Sequence, residues 1–328
     1  MDRITIIGVG PIGISIGLCL KAAELRETEI VATSGDRAVL KLGSEMDAFD
    51  KTSGNLKSAL KGAQLVILDT ALSETREIIE AIAPILEDKC ILTDTGPSKV
   101  QVLKWAEEYL PDSVDFVSGR PIVKDFMDSD EDASVDAFLD SEYCIIPAKR
   151  VNQTSIKTIV GLVQILGAKP LFIDAAEHDS YFSATTQLPM LMAAALVNSV
   201  SSSSAWREIS RLAGGEFKNS AQLSSGIPAD NVLACKFDSA STIRWINQAI
   251  DELTKYKKLI EADSENLSEE FETALDEWAK WQAGTIVPQD TPQIPSSGDA
   301  ISGMFFGRRI TQRFREVSKL RQSQNGNP

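Results

Sequence analysis

The residues best suited to hold or transform a ligand lie in a few short stretches of this 328-residue chain. Gly8, Gly10 and Gly13 stand between the apolar run Ile4-Thr5-Ile6-Ile7 and an apolar pattern that continues through Leu18 and Leu20 to Ala23. A glycine turn between strand and helix brings the backbone close to a pyrophosphate, and the helix start offers it free N–H groups and a positive dipole end. The expected ligand is a nicotinamide dinucleotide held by Gly8, Gly10, Pro11, Ile12 and Gly13. His178 is the single histidine. Beside it Asp179 can orient one ring nitrogen, which leaves the other to take a proton during hydride transfer from a hydroxyl carbon. The same pair also reads as a helix cap at a domain junction. Arg120 stays protonated; it either grips a carboxylate or pairs with the acidic run Asp128, Asp130, Glu131 and Asp132. Lys99 follows a glycine turn at a strand's end, where open α/β sheets bind ligands. Lys124 is a further proton-transfer candidate nearby. One histidine excludes a histidine-rich metal site, and no metal is expected.

The elements that must position these groups alternate. Strands are expected at residues 4–7, 29–33, 64–70, 90–94, 114–117, 142–147 and 169–173. Helices are expected at residues 36–42, 56–60, 73–86, 98–110 and 152–166. This alternation predicts a doubly wound, mostly parallel Rossmann-type sheet over residues 1–174. Its second strand ends at Thr33, and the tip carries Ser34, Asp36 and Arg37. Small hydroxyl residues with an arginine close behind favour the 2′-phosphate of NADP over NAD, although Asp36 instead holds a ribose if the loop is longer, or simply starts the next helix. Thr70 and Gly96, at the ends of the next two strands, complete the cofactor set.

Beyond residue 174 no strand pattern follows. Helical spacing is expected at residues 177–203, 205–212, 230–258 and 268–281, so residues 175–284 form an all-helical substrate and dimerisation domain. The stretch 188–200 is apolar enough to demand burial on nearly every side, in a core or against a second subunit of a homodimer. Residues 285–328 hold Pro288, Pro292 and Pro295 and then a basic, potentially amphipathic tail, read as a linker and a docking or disordered segment.

A net charge of −14 argues against nucleic-acid partners, since an acidic surface repels phosphate. No apolar run reaches the roughly 20 residues of a membrane span, and the beginning lacks a basic region before its apolar stretch, so a cytoplasmic protein is expected. Cys19, Cys90, Cys144 and Cys235 are scattered and read as reduced thiols.

Four motifs in order resemble the prephenate and arogenate dehydrogenase family, which aromatises a cyclohexadienyl acid on the way to tyrosine. Thr93-Asp94-Thr95-Gly96-Pro97-Ser98-Lys99 is similar to its T-D-x-G-S-x-K turn, with the serine one place late. Phe116-Val117-Ser118-Gly119-Arg120-Pro121-Ile122 is similar to F-V-G-G-H-P-hydrophobic. Glu177-His178-Asp179 with Thr186-Gln187-Leu188-Pro189-Met190 is similar to H-D followed by S-H-L-P-H, and Gly214-Gly215-Glu216-Phe217-Lys218 to G-G-G-F-K. The likeness spans roughly residues 3–260. It implies an NAD(P)-dependent dehydrogenase with a small carboxylate substrate. The departures fall on the family's polar positions: Arg120 stands for its catalytic histidine, Gln187 and Met190 for two further histidines, and Gln222 for its substrate arginine. The expected site is therefore His178, Arg120 and Lys99 for chemistry, with Arg120, Gln187 and Gln222 for substrate. Two other readings stay open: an imine or β-hydroxyacid reductase-type enzyme, and a non-catalytic NAD(P)-binding protein.

Overall fold

The computed structural model describes residues 2–25, 27–123, 127, 129–223 and 228–286. Lys124, Asp128 and almost all of the proposed linker and tail, from residue 287 on, lie outside them.

The chain opens with β1 (Asp2–Ile7), α1 (Pro11–Ala22), β2 (Thr28–Thr33), α2 (Arg37–Glu45), a two-residue β3 (Lys51–Thr52), α3 (Leu56–Leu60), β4 (Ala63–Leu68) and α4 (Leu72–Ile82). It continues with β5 (Ile91–Asp94), α5 (Lys99–Tyr109), β6 (Asp115–Pro121), β7 (Glu142–Pro147), α6 (Gln153–Ile165) and β8 (Lys169–Phe172). One eight-stranded sheet results, in the order β3-β2-β1-β4-β5-β6-β7-β8. All pairs are parallel except β6 with β7, where Gly119 faces Ile145. No helix longer than the short turn Asp130–Asp132 intervenes between those two strands among the described residues, so the chain re-enters the sheet from the end at which it left.

Continuous apolar strands follow from burial of both sheet faces. Along β1, Ile4 and Ile6 belong to one core cluster and Ile7 to the other; along β4, Leu65 and Ile67 oppose Val66 and Leu68 in the same way. Helix α1 lies so near the segment after α2 that a Cβ on Gly17 would stand 2.6 Å from the Ala48 carbonyl oxygen and 2.6 Å from Phe49. Gly17→Ala is expected to lower stability by about 1–3 kcal/mol through overpacking, read as a lower urea midpoint with an unchanged slope.

The second half is helical: α7 (Ala175–Phe182), a π-helical turn (Ser183–Gln187), α8 (Leu188–Ser201), α9 (Trp206–Ile209), α10 (Gly215–Ser220), α11 (Pro228–Phe237), α12 (Ser239–Glu261) and α13 (Asn266–Gln282). The single helix expected over residues 230–258 is two, because Asp238 leaves helical geometry and its side chain accepts from Ser241 N. The expected burial of α8 is not met within one chain, where Ala193 alone is fully buried.

Candidate active site

In a parallel sheet the helices after β1, β4 and β5 begin at one edge, with their first N–H groups unpaired by the helix itself. Here each of these three helix starts receives a carboxylate. Gly10 N and Gly13 N at the start of α1 donate to Asp69 Oδ2 at 2.9 and 2.7 Å. Leu72 N and Ser73 N of α4 donate to Asp230 of α11 at 2.8 and 3.0 Å. Lys99 N and Val100 N of α5 donate to Asp179 of α7 at 2.8 and 2.9 Å. Two of the three acids come from the helical half, so the caps also bind that half to the sheet.

The glycine turn has the shape its sequence predicts. Gly8 sits at φ +75°, and a Cβ there would lie 2.4 Å from Thr70 Cγ2. A Cβ at Gly13 would lie 2.7 Å from Asp69 Oδ2. At position 13 only glycine lets the backbone N–H meet an anionic oxygen at such range. That oxygen is Asp69's carboxylate, which stands where a phosphate oxygen of a dinucleotide would; the donors therefore fit the diphosphate. Thr95 Oγ1 donates to the other Asp69 oxygen at 2.7 Å. Asp69 is half-buried overall, yet desolvation of its carboxyl outweighs these hydrogen bonds and raises its pKa above the ordinary carboxylate value.

At the tip of β2, Asp36 Oδ1 accepts from Ala38 N at 2.8 Å, so the reading of Asp36 as the start of the next helix is the one the geometry realises. Ser34 Oγ accepts from Asp36 N at 3.1 Å, and Arg37 is exposed. The turn Asp130–Asp132 packs on α1 and α2; burial and then the Asp36 charge raise the pKa of Asp130. Thr70 Oγ1 lies 2.9 Å from Thr75 Oγ1, and Gly96 N donates to Asp94 at 3.2 Å.

The second centre lies at the ends of β5 and β6. Lys99 is fully buried, and its Nζ donates to Asp94 Oδ2 at 2.8 Å and to the Gly119 carbonyl at 2.6 Å. Ser118 Oγ donates to the other Asp94 oxygen. With its ammonium spent inside the protein, Lys99 ties two strands together, and the expectation of a substrate-facing lysine is corrected. Gln187 is corrected likewise: it is 3% exposed and accepts from the Thr242 hydroxyl of α12. Gln222 is exposed after α10, and no described contact brings it to Arg120.

His178 and Arg120 do come together. Helix α7 is capped by Asp174, which accepts from Ala176 N at 2.8 Å, so His178 and Asp179 do not cap their own helix. Asp179 Oδ1 is instead 2.9 Å from His178 Nδ1. Burial is the main cause that lowers the His178 pKa, against the raising effect of Asp179. The ring is therefore neutral at pH 7; a carboxylate partner assigns its proton to Nδ1 and leaves the Nε2 lone pair as acceptor. Arg120 lies with its guanidinium carbon 4.4 Å from the Phe182 ring centre, and His178 is stacked on the same ring at 6.3 Å. Arg120 Nε has no hydrogen-bond partner and no carboxylate pairs with the guanidinium among the described residues, which include Asp130, Glu131 and Asp132 of the acidic run but not Asp128. Burial lowers its pKa to about 10, so it remains a cation at neutral pH.

Sequence reasoning missed Asp69, Phe182 and Tyr143. A carboxylate at the end of the strand next to β1 was the available signal for Asp69. Nothing local marks Tyr143, whose buried hydroxyl has no hydrogen-bond partner among the described residues and would stand 2.8 Å from a Cβ on Gly119.

A doubly wound sheet joined to an all-helical half is an architecture that NAD(P)-dependent dehydrogenases use, and the family matches place this chain in that class. Residues 16–171 match the model of the prephenate dehydrogenase nucleotide-binding domain, and residues 174–276 that of the prephenate dehydrogenase dimerization domain. The chain belongs to the prephenate and arogenate dehydrogenase family. It is 28% identical over 290 residues to prephenate dehydrogenase of Bacillus subtilis, across 84% of this chain and 75% of that protein. It is 24% identical over 228 residues to cyclohexadienyl dehydrogenase of Zymomonas mobilis, across 69% of this chain and 77% of that protein. The fold is shared with A. aeolicus prephenate dehydrogenase in complex with hydroxyphenyl propionate and NAD+ (TM-score 0.77, 20% identity, 85% of this chain and 98% of that one). It is also shared with Synechocystis arogenate dehydrogenase (TM-score 0.69, 18% identity, 85% and 99%). None of the described helices is long and apolar enough to cross a membrane.

Proposed function

We propose that the chain oxidises a hydroxylated cyclohexadienyl carboxylate of the prephenate and arogenate class, or a related hydroxy acid, with NAD(P). The carrying observation is Arg120: a guanidinium with no carboxylate partner among the described residues, half-buried beside a neutral histidine whose orientation is set by Asp179. Arg120 holds the substrate carboxylate, and His178 Nε2 takes or polarises the hydroxyl proton as hydride leaves the same carbon. The nicotinamide, when bound, supplies the hydride acceptor. Gly8, Gly10, Pro11, Ile12 and Gly13 would hold its diphosphate, flanked by Thr70 and Gly96. Asp36 turned onto α2 and the exposed Arg37 favour NADP.

A homodimer fits α8, and Ile243, Ile250, Leu253 and Ile260 of α12 are exposed in the single chain. Four free cysteines fit a reducing cytoplasm. The test is NAD(P)H formation with prephenate, arogenate and a panel of hydroxy acids; no turnover of any of them would remove this reading. Arg120→Ala is expected to raise KM about ten- to hundredfold with kcat less affected, the scale of a charged hydrogen bond, in steady-state kinetics. The internal placement of Gln187 and the carboxylate on the glycine turn favour one second reading, a nucleotide-binding protein without catalysis. Dinucleotide binding with no turnover across the panel would select it.

A further inference from the structure

The geometry points to Asp69 as a built-in competitor of the dinucleotide: its carboxylate occupies the two N–H donors that the diphosphate needs, so the cofactor binds only by ejecting it. This rests on the reading that a dinucleotide uses the glycine turn.

Gly10 N and Gly13 N both point at Asp69 Oδ2, and the missing Cβ of Gly13 is the space that oxygen fills. An anion at a helix start is stabilised by the unpaired N–H groups and the dipole, whichever molecule supplies it. Two anions cannot share those donors, and a diphosphate brought beside an ionised Asp69 meets like-charge repulsion in a partly desolvated setting.

The surroundings work in the same direction. Asp130, on the turn packed against α1 and α2, adds its negative charge to the field at Asp69, and Asp36 adds to that at Asp130. Among the described residues no lysine or arginine pairs with Asp69; its partners are the two glycine amides and the Thr95 hydroxyl. Burial also raises the Asp69 pKa, so the charge is held at a cost that ejection into solvent relieves.

A cap for α1 does not require a carboxylate from a neighbouring strand, because the first turn of a helix at a ligand-binding edge can be met by water or ligand. Placing the acid there sets a threshold that a dinucleotide must overcome and makes Asp69 a determinant of cofactor affinity that touches no nicotinamide chemistry.

The test is direct binding of NADH and NADPH, followed by calorimetry and by nucleotide fluorescence, to the full chain and to two variants at one pH and salt concentration. Asp69→Ala is expected to bind both nucleotides about tenfold tighter or more than the wild type, the order expected for removing one close like charge. Asp69→Asn keeps the shape and removes the charge; it is expected to gain part of that affinity, and it decides the matter if the alanine variant does not fold by circular dichroism. Unchanged or weaker binding in the folded variants, with the wild type binding well, would overturn the competition and leave the nucleotide site standing. Absence of binding by wild type and variants alike would overturn both.

Discussion

Replacing His178 by glutamine is expected to lower kcat by about a hundred- to ten-thousandfold, the span over which a positioned proton acceptor contributes. Glutamine keeps a hydrogen-bonding side chain near Asp179, but it cannot accept a proton at neutral pH. The wild-type ring is 4% exposed, flanked by Phe182, Asp179, Lys99 and Arg120, and both nearby cations oppose its protonation. A base must be neutral to act, so kcat/KM falls as pH drops through the His178 pKa. Because burial lowers that pKa, the acid limb lies below the ordinary value near 6.5. The limb is expected to vanish in His178→Gln. A full rate with an unchanged profile would remove His178 from the chemistry and leave it as a residue packed between domains.

The largest stability effect is expected at Lys99, not at any residue facing ligand. Lys99→Met leaves Asp94 buried without its cation, a change that costs about 3–5 kcal/mol in comparable buried pairs. Methionine fills much of the lysine volume, so the loss reports charge more than cavity. The Gly119 carbonyl loses a donor as well, and it sits one residue before Arg120. Chemical denaturation should show the deficit directly. A variant as stable as the wild type at pH 7 would show that Asp94 needs no cation beyond the bonds it accepts from Ser118 Oγ and from the backbone N–H groups of Gly96 and Gly119.

These two outcomes separate residues that the sequence treats alike. Lys99, His178 and Arg120 are each a lone polar residue near a motif, and their types permit the same proton-transfer or binding roles. Lys99 is spent because Asp94 and the Gly119 carbonyl converge on its ammonium across the strand pair β5–β6. Arg120, next in the chain to Gly119, escapes that network and meets the face of Phe182. Gln187 looked free to reach a substrate, but the π-helical turn places it against Thr242 of a helix 55 residues further on.

The fold was largely legible from the chain itself. Apolar runs of strand length, helical spacing and the glycine turn are local patterns with periods fixed by backbone geometry, so seven of the eight strands and the change to all-helix near residue 174 follow from them, whereas the two exposed residues of β3, Lys51 and Thr52, carry no such run. Local signals also implied a dinucleotide seat at Gly8, Gly10 and Gly13. They did not contain the reversal of β7 or the break at Asp238, which depend on where the chain must re-enter and which end a side chain caps.

What occupies the helix starts was decided by tertiary structure alone. Asp69, Asp230 and Asp179 reach amides 56, 158 and 80 residues away. An unpaired N–H group at a helix start donates to any anion that packing delivers, so sequence names the donors and only the assembled sheet names the acceptor. The chain determined that an anion binds at the glycine turn; the fold put a carboxylate of its own there.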